Sequence, residues 1–207
     1  VNEEEARAWV RARNDVPRET LDRLALLAAK VTEAAVEQNL VSARDLGAMW
    51  SRHIVDSLQL LDHSREGSWG DLGSGAGFPG LVIAVARPDT PVTLIEQRAK
   101  RCRFLRTAIE EIAIANASVV QGRTQQVEGT FANISARAYA PLPRLFDEAH
   151  HLAASSTRWL LPKGRNAAMQ LAEARTSWHG LFRLEPSVTD PESAIIVAEG
   201  VSKRTGA

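Results

Sequence analysis

The run Asp71-Leu72-Gly73-Ser74-Gly75-Ala76-Gly77-Phe78-Pro79-Gly80 is the densest set of residues able to shape a binding turn. Glycines permit a tight reversal and let a ligand approach the backbone closely. The apolar stretch 81–86 that follows reads as a helix, whose first N–H groups offer positive potential. Phe78 stands where a dinucleotide fingerprint needs its third glycine, and no Gly-Lys-Ser/Thr follows the turn. Neither a pyrophosphate turn nor a phosphate-cradling loop is therefore present. Asp71, just ahead of the turn, would repel a pyrophosphate and suits a ligand carrying an ammonium group. Further on, the apolar run at 92–95 ends in Glu96. In nucleotide-binding α/β folds an acid at the end of the second strand accepts hydrogen bonds from ribose hydroxyls.

A glycine turn with a ribose acid and no phosphate device points to a nucleoside without phosphates, of which S-adenosylmethionine is the commonest cofactor. The elements that must hold these residues follow from hydrophobic spacing. Short apolar runs predict strands at 69–72, 92–96, 118–121, 131–136 and 157–161, with two more at 182–188 and 194–199. Helical spacing covers 99–115, through Cys102, Leu105, Ile109 and Ile112, and 142–154, through Leu142, Leu145, Ala149 and Leu152. Strands alternating with helices imply a mostly parallel sheet covered on both faces, with ligands beyond the carboxyl ends of the strands. Before Gly67 the pattern is helical. Leu21, Leu24, Ala28, Val31 and Ala35 share one face, and Leu46, Trp50, Ile54, Leu58 and Leu61 another, with 38–42 as connector. Residues 1–66 thus read as a helical extension packed on a domain formed by 67–207.

The 207 residues carry 25 Lys+Arg and 25 Asp+Glu, so the formal net charge is zero. A uniformly basic nucleic-acid coat is excluded; a local basic patch is not. Arg98, Lys100, Arg101, Arg103 and Arg106 are candidates for one, and Arg123, Arg137, Arg144, Lys163 and Arg165 could extend its rim. Such contacts set affinity and salt dependence rather than base identity. The competing reading is a solvated helix face balanced by Glu110 and Glu111. A single cysteine, Cys102, allows no internal disulfide and no zinc cluster, and its apolar helix face predicts a buried, inert thiol. With an acidic N-terminus and no apolar run near ~18 residues, the chain reads as cytoplasmic and without a membrane span. The adjacent His150 and His151 do not share a helix face, and no metal site is expected. Arg52 and Asp56 lie one turn apart and are read as an ion pair locking the helical extension to the sheet.

Several stretches together resemble the ribosomal RNA small-subunit methyltransferase G family, also called glucose-inhibited division protein B. They are Asn39-Leu40, Arg44-Asp45, Arg52-His53-Ile54-Val55-Asp56-Ser57-Leu58, Asp71 to Gly80, Lys100-Arg101 with Phe104-Leu105, Gly122-Arg123, Arg137-Ala138-Tyr139-Ala140-Pro141-Leu142 and Lys163-Gly164. The resemblance implies an α/β, class I S-adenosylmethionine-dependent methyltransferase fold: Rossmann-like, with a mostly parallel seven-stranded sheet and an N-terminal helical cap. It implies S-adenosylmethionine as methyl donor and a guanine N7 in 16S rRNA of the small ribosomal subunit as acceptor, and a monomer is expected. Carried onto this chain, it implies that Gly73, Ser74, Gly75, Gly77 and Phe78 line the cofactor. Asp71 would face the methionine end, Glu96 the ribose, and Thr124 and Gln125 the adenine. Arg137 would stand beside the cofactor at the substrate entrance. His53, Arg98, Lys100, Arg101, Arg123, Lys163 and Arg165 are the candidate RNA contacts. The chain departs from the family at Gln125 and Gln126, where acids are usual, and at Ala132. A guanine N7 needs no deprotonation, so no general base is expected. Two rivals are a small-molecule methyltransferase of the same fold and a non-catalytic ribosome-binding module that keeps the pocket.

Overall fold

The computed structural model describes residues 1–38, 42 and 46–204. Seven strands form one sheet: β1 (Trp69–Leu72), β2 (Val92–Glu96), β3 (Ala117–Gln121), β4 (Phe131–Ala136), β5 (Ala153–Lys163), β6 (Trp178–Pro186) and β7 (Ala194–Lys203). Their order is β3-β2-β1-β4-β5-β7-β6. The first five pair in parallel, and β7 runs antiparallel between β5 and β6. The chain builds outward from β1 through β2 to β3, then returns to the other side of β1 for β4. The carboxyl ends of β1 and β4 therefore flank the switch in strand order, where a crevice must open. All four residues of β1 are buried, as a strand covered on both faces requires.

Helices α3 (Gly80–Ala86) and α4 (Ala99–Glu111) cover one face of the sheet. On the other face, α5 (Leu142–Ala149) and α6 (Ala167–Ser177) pack around Phe146, which meets Trp159 edge-on at 5.1 Å and Trp178 at 5.5 Å. The expected alternation is present with shifted ends. The helix expected to reach 115 stops at Glu111, and the one expected to reach 154 leaves the α-form after Ala149 so that β5 begins at Ala153. Strand β6 starts four residues earlier than the expected 182, and α6 was not anticipated. Only Ala167, Leu171 and Ala174 of α6 are buried, too thin a stripe to announce a helix. The proposed connector at 38–42 falls largely outside the described residues, as do Asn39-Leu40 and Arg44-Asp45.

Helices α1 (Glu3–Arg11) and α2 (Arg18–Gln38) and a helical segment over 50–63 make up the N-terminal extension. Their apolar side chains, Val10, Leu24, Leu27, Ile54 and Leu58 among them, share one buried cluster with Trp69, Leu81 and Ile83. The segment over 50–63 opens with a π-helical turn at Trp50–Val55. Its first N–H groups need acceptors, and Glu3 of α1 supplies them: its carboxylate accepts from Trp50 N at 3.0 Å, Ser51 N at 2.8 Å and Ser51 Oγ at 2.8 Å.

A second tie joins the extension to the sheet domain. Asp15 accepts from Arg13 at 2.9 Å and from Arg87, at the end of α3, at 2.6 Å, while Arg13 also holds Asp62 at 2.8 Å. These cations, Arg13 first, hold the Asp15 carboxyl well below the ordinary carboxylate range. A depressed folded-state pKa stabilises above the unfolded value, about 3.9, and that stabilisation fades as pH falls below it. Asp15→Asn is therefore expected to lower the Tm at pH 7 and to lower it less near pH 2. Equal losses in a thermal-unfolding series at the two pH values would contradict this.

Candidate active site

The turn after β1 is built on backbone that only glycine adopts freely. Gly73 has φ +66°, and a Cβ there would sit 2.8 Å from the ring of Tyr139. Gly77 has φ +93°, and a Cβ would run into the side chain of Leu81. Beneath the turn Asp71 is completely buried. Its Oδ1 accepts from Ser135 Oγ at 2.7 Å and its Oδ2 from Gly80 N at 3.2 Å, while Trp69 Nε1 donates to Ser135 Oγ at 2.8 Å. Burial pushes the Asp71 carboxyl up. This corrects the expectation that Asp71 faces a ligand's ammonium group: its oxygens fasten the end of the turn to β4. Ser74 is likewise turned inward, its Oγ donating to Asp71 O at 3.0 Å.

Glu96, at the end of β2 and 4% exposed, reaches the turn from the side. One oxygen accepts from Gly75 N at 3.0 Å, the other from Arg98 N at 2.8 Å, and Arg101 Nη1 stands 3.8 Å away. Each carboxylate oxygen has two acceptor sites, so acceptor capacity remains beyond these contacts. Cys102 is buried behind Glu96, as its apolar helix face predicts, and its Sγ donates to Glu96 O at 3.1 Å.

Two cavities open at the switch point. The first, about 480 Å³, is walled by Gly73, Glu96, Arg98, Arg101, Thr124 and Gln125, with Arg123 and Arg144 at its rim. The second, about 650 Å³, is walled by His53, Asp56, Arg137, Lys163 and the loop residues Ser187 and Ser193. Ala138, Tyr139 and Ala140, just after β4, line both. Ala138 holds φ +52°, a conformation that costs a non-glycine residue energy and that clusters at functional sites. The Tyr139 hydroxyl donates to Glu148 Oε2 at 2.6 Å and lies 3.0 Å from Thr124 Oγ1. Burial and the Glu148 carboxylate push its pKa up to about 12.

Arg137 organises the second cavity. Its guanidinium donates to Arg52 O at 2.9 Å and to His53 Nδ1 at 2.7 Å, and stands 3.8 Å from Asp56 Oδ2 and 5.5 Å over the Phe78 ring. Guanidinium only donates, so Nδ1 of His53 is the acceptor and the neutral ring carries its proton on Nε2. His53 in turn stacks on Phe78 at 4.7 Å. The Lys163 ammonium donates to Ala140 O at 3.0 Å, and burial pushes its pKa down.

The structure thus gathers Gly73, Glu96, Thr124, Gln125, Arg98, Arg101 and Arg123 at the first cavity and Arg137, His53 and Lys163 at the second. His53, expected among the RNA contacts, is 5% exposed; it stacks on Phe78 and holds Arg137 through Nδ1 at the wall of the second cavity. Phe78 is buried as the platform beneath both. Asp56, one turn after Arg52, also faces Arg137, Gln59 and Thr189. Lys100 is exposed on α4, and Arg165 is exposed and 3.9 Å from Glu192. Neither lines the first or the second cavity. His150 and His151 bond to backbone carbonyls, and the described residues contain no cluster able to hold a metal. Trp50 and Trp159 are both in the core. Sequence reasoning gave no role to Tyr139 or Glu148, although Tyr139 follows Arg137 by two positions.

The first cavity fits S-adenosylmethionine. Gly73 leaves room for a close approach, Glu96 offers spare acceptors for ribose hydroxyls, and the turn has no phosphate device. No helix of the described residues is long and apolar enough to cross a membrane.

Comparisons with known proteins agree with this picture. The family model described as rRNA small subunit methyltransferase G (GidB) matches residues 20–189. The chain is 48% identical over 209 residues to ribosomal RNA small subunit methyltransferase G of Rhizorhabdus wittichii, covering 99% of this chain and 95% of that one. It is 46% identical to the protein of the same name from Erythrobacter litoralis, covering 97% and 98%. Among solved structures, the glycopeptide N-methyltransferase MtfA complexed with S-adenosylmethionine superposes with TM-score 0.57 at 11% identity, over 71% of this chain and 93% of that one. A point mutant of MtNAS in complex with S-adenosylmethionine gives TM-score 0.57 at 16% identity, over 97% and 84%. At such identities the likeness is one of fold.

Proposed function

The chain belongs to the rRNA small subunit methyltransferase G family, and on that premise we propose that it methylates N7 of one guanine in the 16S rRNA of the small ribosomal subunit, acting as a cytoplasmic monomer. S-adenosylmethionine, when bound, supplies an electrophilic methyl group. The protein's own part is to hold the donor in the first cavity and the base in the second, which meet along Ala138–Ala140. Gly73 lines the first cavity, with Gly75 and Gly77 shaping the turn that carries it; Glu96 takes the ribose, and Thr124 and Gln125 flank the adenine. The glutamine oxygen still accepts from an adenine amine, so the missing acid weakens that contact without abolishing it.

The observation that carries the N7 reading is the shared wall itself. Its one titratable side chain, Tyr139, is tied to Glu148 with a pKa of about 12, so it does not take a proton at neutral pH. Guanine N7 presents a lone pair in the neutral base and needs no proton removed. Catalysis then rests on alignment, which is worth roughly 7–11 kcal/mol for well-held reactants. Arg137, braced by Arg52 O and His53, fixes the entrance where the base arrives.

Arg98, Arg101 and Arg123 line the first cavity and are the groups that would meet RNA phosphates. Three such contacts imply that raising salt from 50 to 200 mM weakens RNA binding by roughly 20- to 40-fold. A shallow response in a filter-binding titration would favour a small uncharged acceptor instead. The N7 position is tested by borohydride reduction and aniline treatment of the methylated RNA. Chain scission at a single guanine is expected; a methylated guanine that resists scission would move the acceptor atom elsewhere.

A further inference from the structure

The second cavity contains a carboxylate that the alignment mechanism leaves unused. Asp56 Oδ1 accepts from Gln59 Nε2 at 2.9 Å and Thr189 Oγ1 at 3.1 Å. Gln59 is itself pinned, accepting from Val188 N at 2.9 Å and donating to Ser187 Oγ at 3.2 Å. The plane of the carboxylate is therefore fixed by the 187–189 loop. Oδ2 faces Arg137 Nη1, at 3.8 Å. Each carboxylate oxygen has two acceptor sites, so Asp56, which lines the cavity, keeps acceptor capacity beyond these contacts. Burial pushes the Asp56 carboxyl up, against the pull of Arg137 and, more weakly, Arg52.

We propose that Asp56 reads the acceptor base: its Oδ2 takes the N1–H and N2 amino donors of a guanine seated in the second cavity, while Lys163 Nζ faces O6. The inference rests on the guanine N7 reading above and deepens it. Guanine alone among the RNA bases sets two adjacent donors before a carboxylate. Adenine and cytosine would bring a ring-nitrogen acceptor there, and uracil one donor between two carbonyls. Around the guanine edge the order is N2, N1, O6, N7. A carboxylate at N1 and N2 and an ammonium at O6 leave N7 at the end of the row. Lys163 Nζ is held by Ala140 O, in the wall common to both cavities, which places the O6 donor beside the point of transfer. As N7 takes the methyl group the ring becomes cationic and N1–H a stronger donor. The contact with Asp56 therefore tightens in the transition state, where it accelerates the reaction rather than only improving binding.

The test compares small subunits reconstituted with guanosine or inosine at the methylated position. Inosine keeps N7, O6 and N1–H and lacks the N2 amino group. The wild-type protein is expected to lose roughly tenfold or more in kcat/KM on inosine, the scale of a lost base contact. Asp56→Asn turns an amide donor toward the base donors. It is expected to lower kcat on guanosine and to bring the guanosine/inosine ratio to within about twofold, with S-adenosylmethionine affinity and Tm near wild type. Equal wild-type rates on the two bases would overturn the proposal without any variant. A variant that keeps the wild-type ratio, or whose activity falls only in step with Tm, would also overturn it. Methylation by the wild type at a position other than guanine N7 would overturn the N7 reading and this proposal together; N7 methylation with equal rates would overturn this proposal alone.

Discussion

Arg137→Ala is expected to lower methyl transfer by about a hundredfold, the scale on which misplaced reactants lose rate, while S-adenosylmethionine affinity changes by only a few fold. The guanidinium is the one group that joins Arg52 O, His53 Nδ1, the vicinity of Asp56 and the face of Phe78. Removing it frees the mouth of the second cavity and leaves two acceptors short of their donor. The stability cost is about 1–3 kcal/mol, enough to lower the Tm without unfolding the protein. Arg137→Lys restores the charge but not the fork that reaches two acceptors at once. It is expected to recover stability better than activity. Steady-state rates, calorimetric cofactor affinity and Tm measured on both variants separate the effects. Activity lost only in proportion to the unfolded fraction would remove Arg137 from the machinery.

Glu96→Ala is expected to act on the other cavity. The Glu96 carboxylate ties Gly75 N and Arg98 N and offers its remaining capacity to the ribose. Alanine leaves both N–H groups without that acceptor and loosens the turn at Gly75. Hydrogen bonds to charged groups are worth about 1.5–3 kcal/mol, so cofactor affinity is expected to fall about 10- to 100-fold. Glu96→Gln keeps an acceptor oxygen and is expected to lie between. Unchanged affinity in Glu96→Ala by calorimetry would mean that the first cavity is not the cofactor site.

The cofactor side of this arrangement was largely legible in the sequence. A glycine turn, a strand-end acid and alternating apolar runs are local patterns, and each landed on its element: the turn after β1, Glu96 at the end of β2, seven strands in one sheet. The substrate side was less legible because it is assembled from parts distant in the chain. Asp56 from the 50–63 segment, Arg137 after β4, Lys163 at the end of β5 and the loop at 187–193 meet only through the strand order. Arg52 and Asp56 at helical spacing suggest an ion pair, but the spacing gives no sign of Arg137, which the strand order brings to within 3.8 Å of Asp56. Asp71 shows the reverse error. Its place before the glycine turn is visible in sequence, yet the serine and backbone amide that claim its oxygens come from Ser135 and Gly80. Helix α6 escaped notice because its buried side is mostly alanine.

The most direct measurement incubates the protein with methyl-labelled S-adenosylmethionine and unmodified small ribosomal subunits, with naked 16S rRNA and tRNA in parallel, and maps the labelled base. Label at a single guanine N7 of 16S rRNA, in the subunit or in the naked RNA, and none in tRNA, is the expected result. Absence of label on every acceptor, with cofactor binding verified separately, or label spread over tRNA, would contradict the assignment of the two cavities to a methyl donor and one ribosomal guanine.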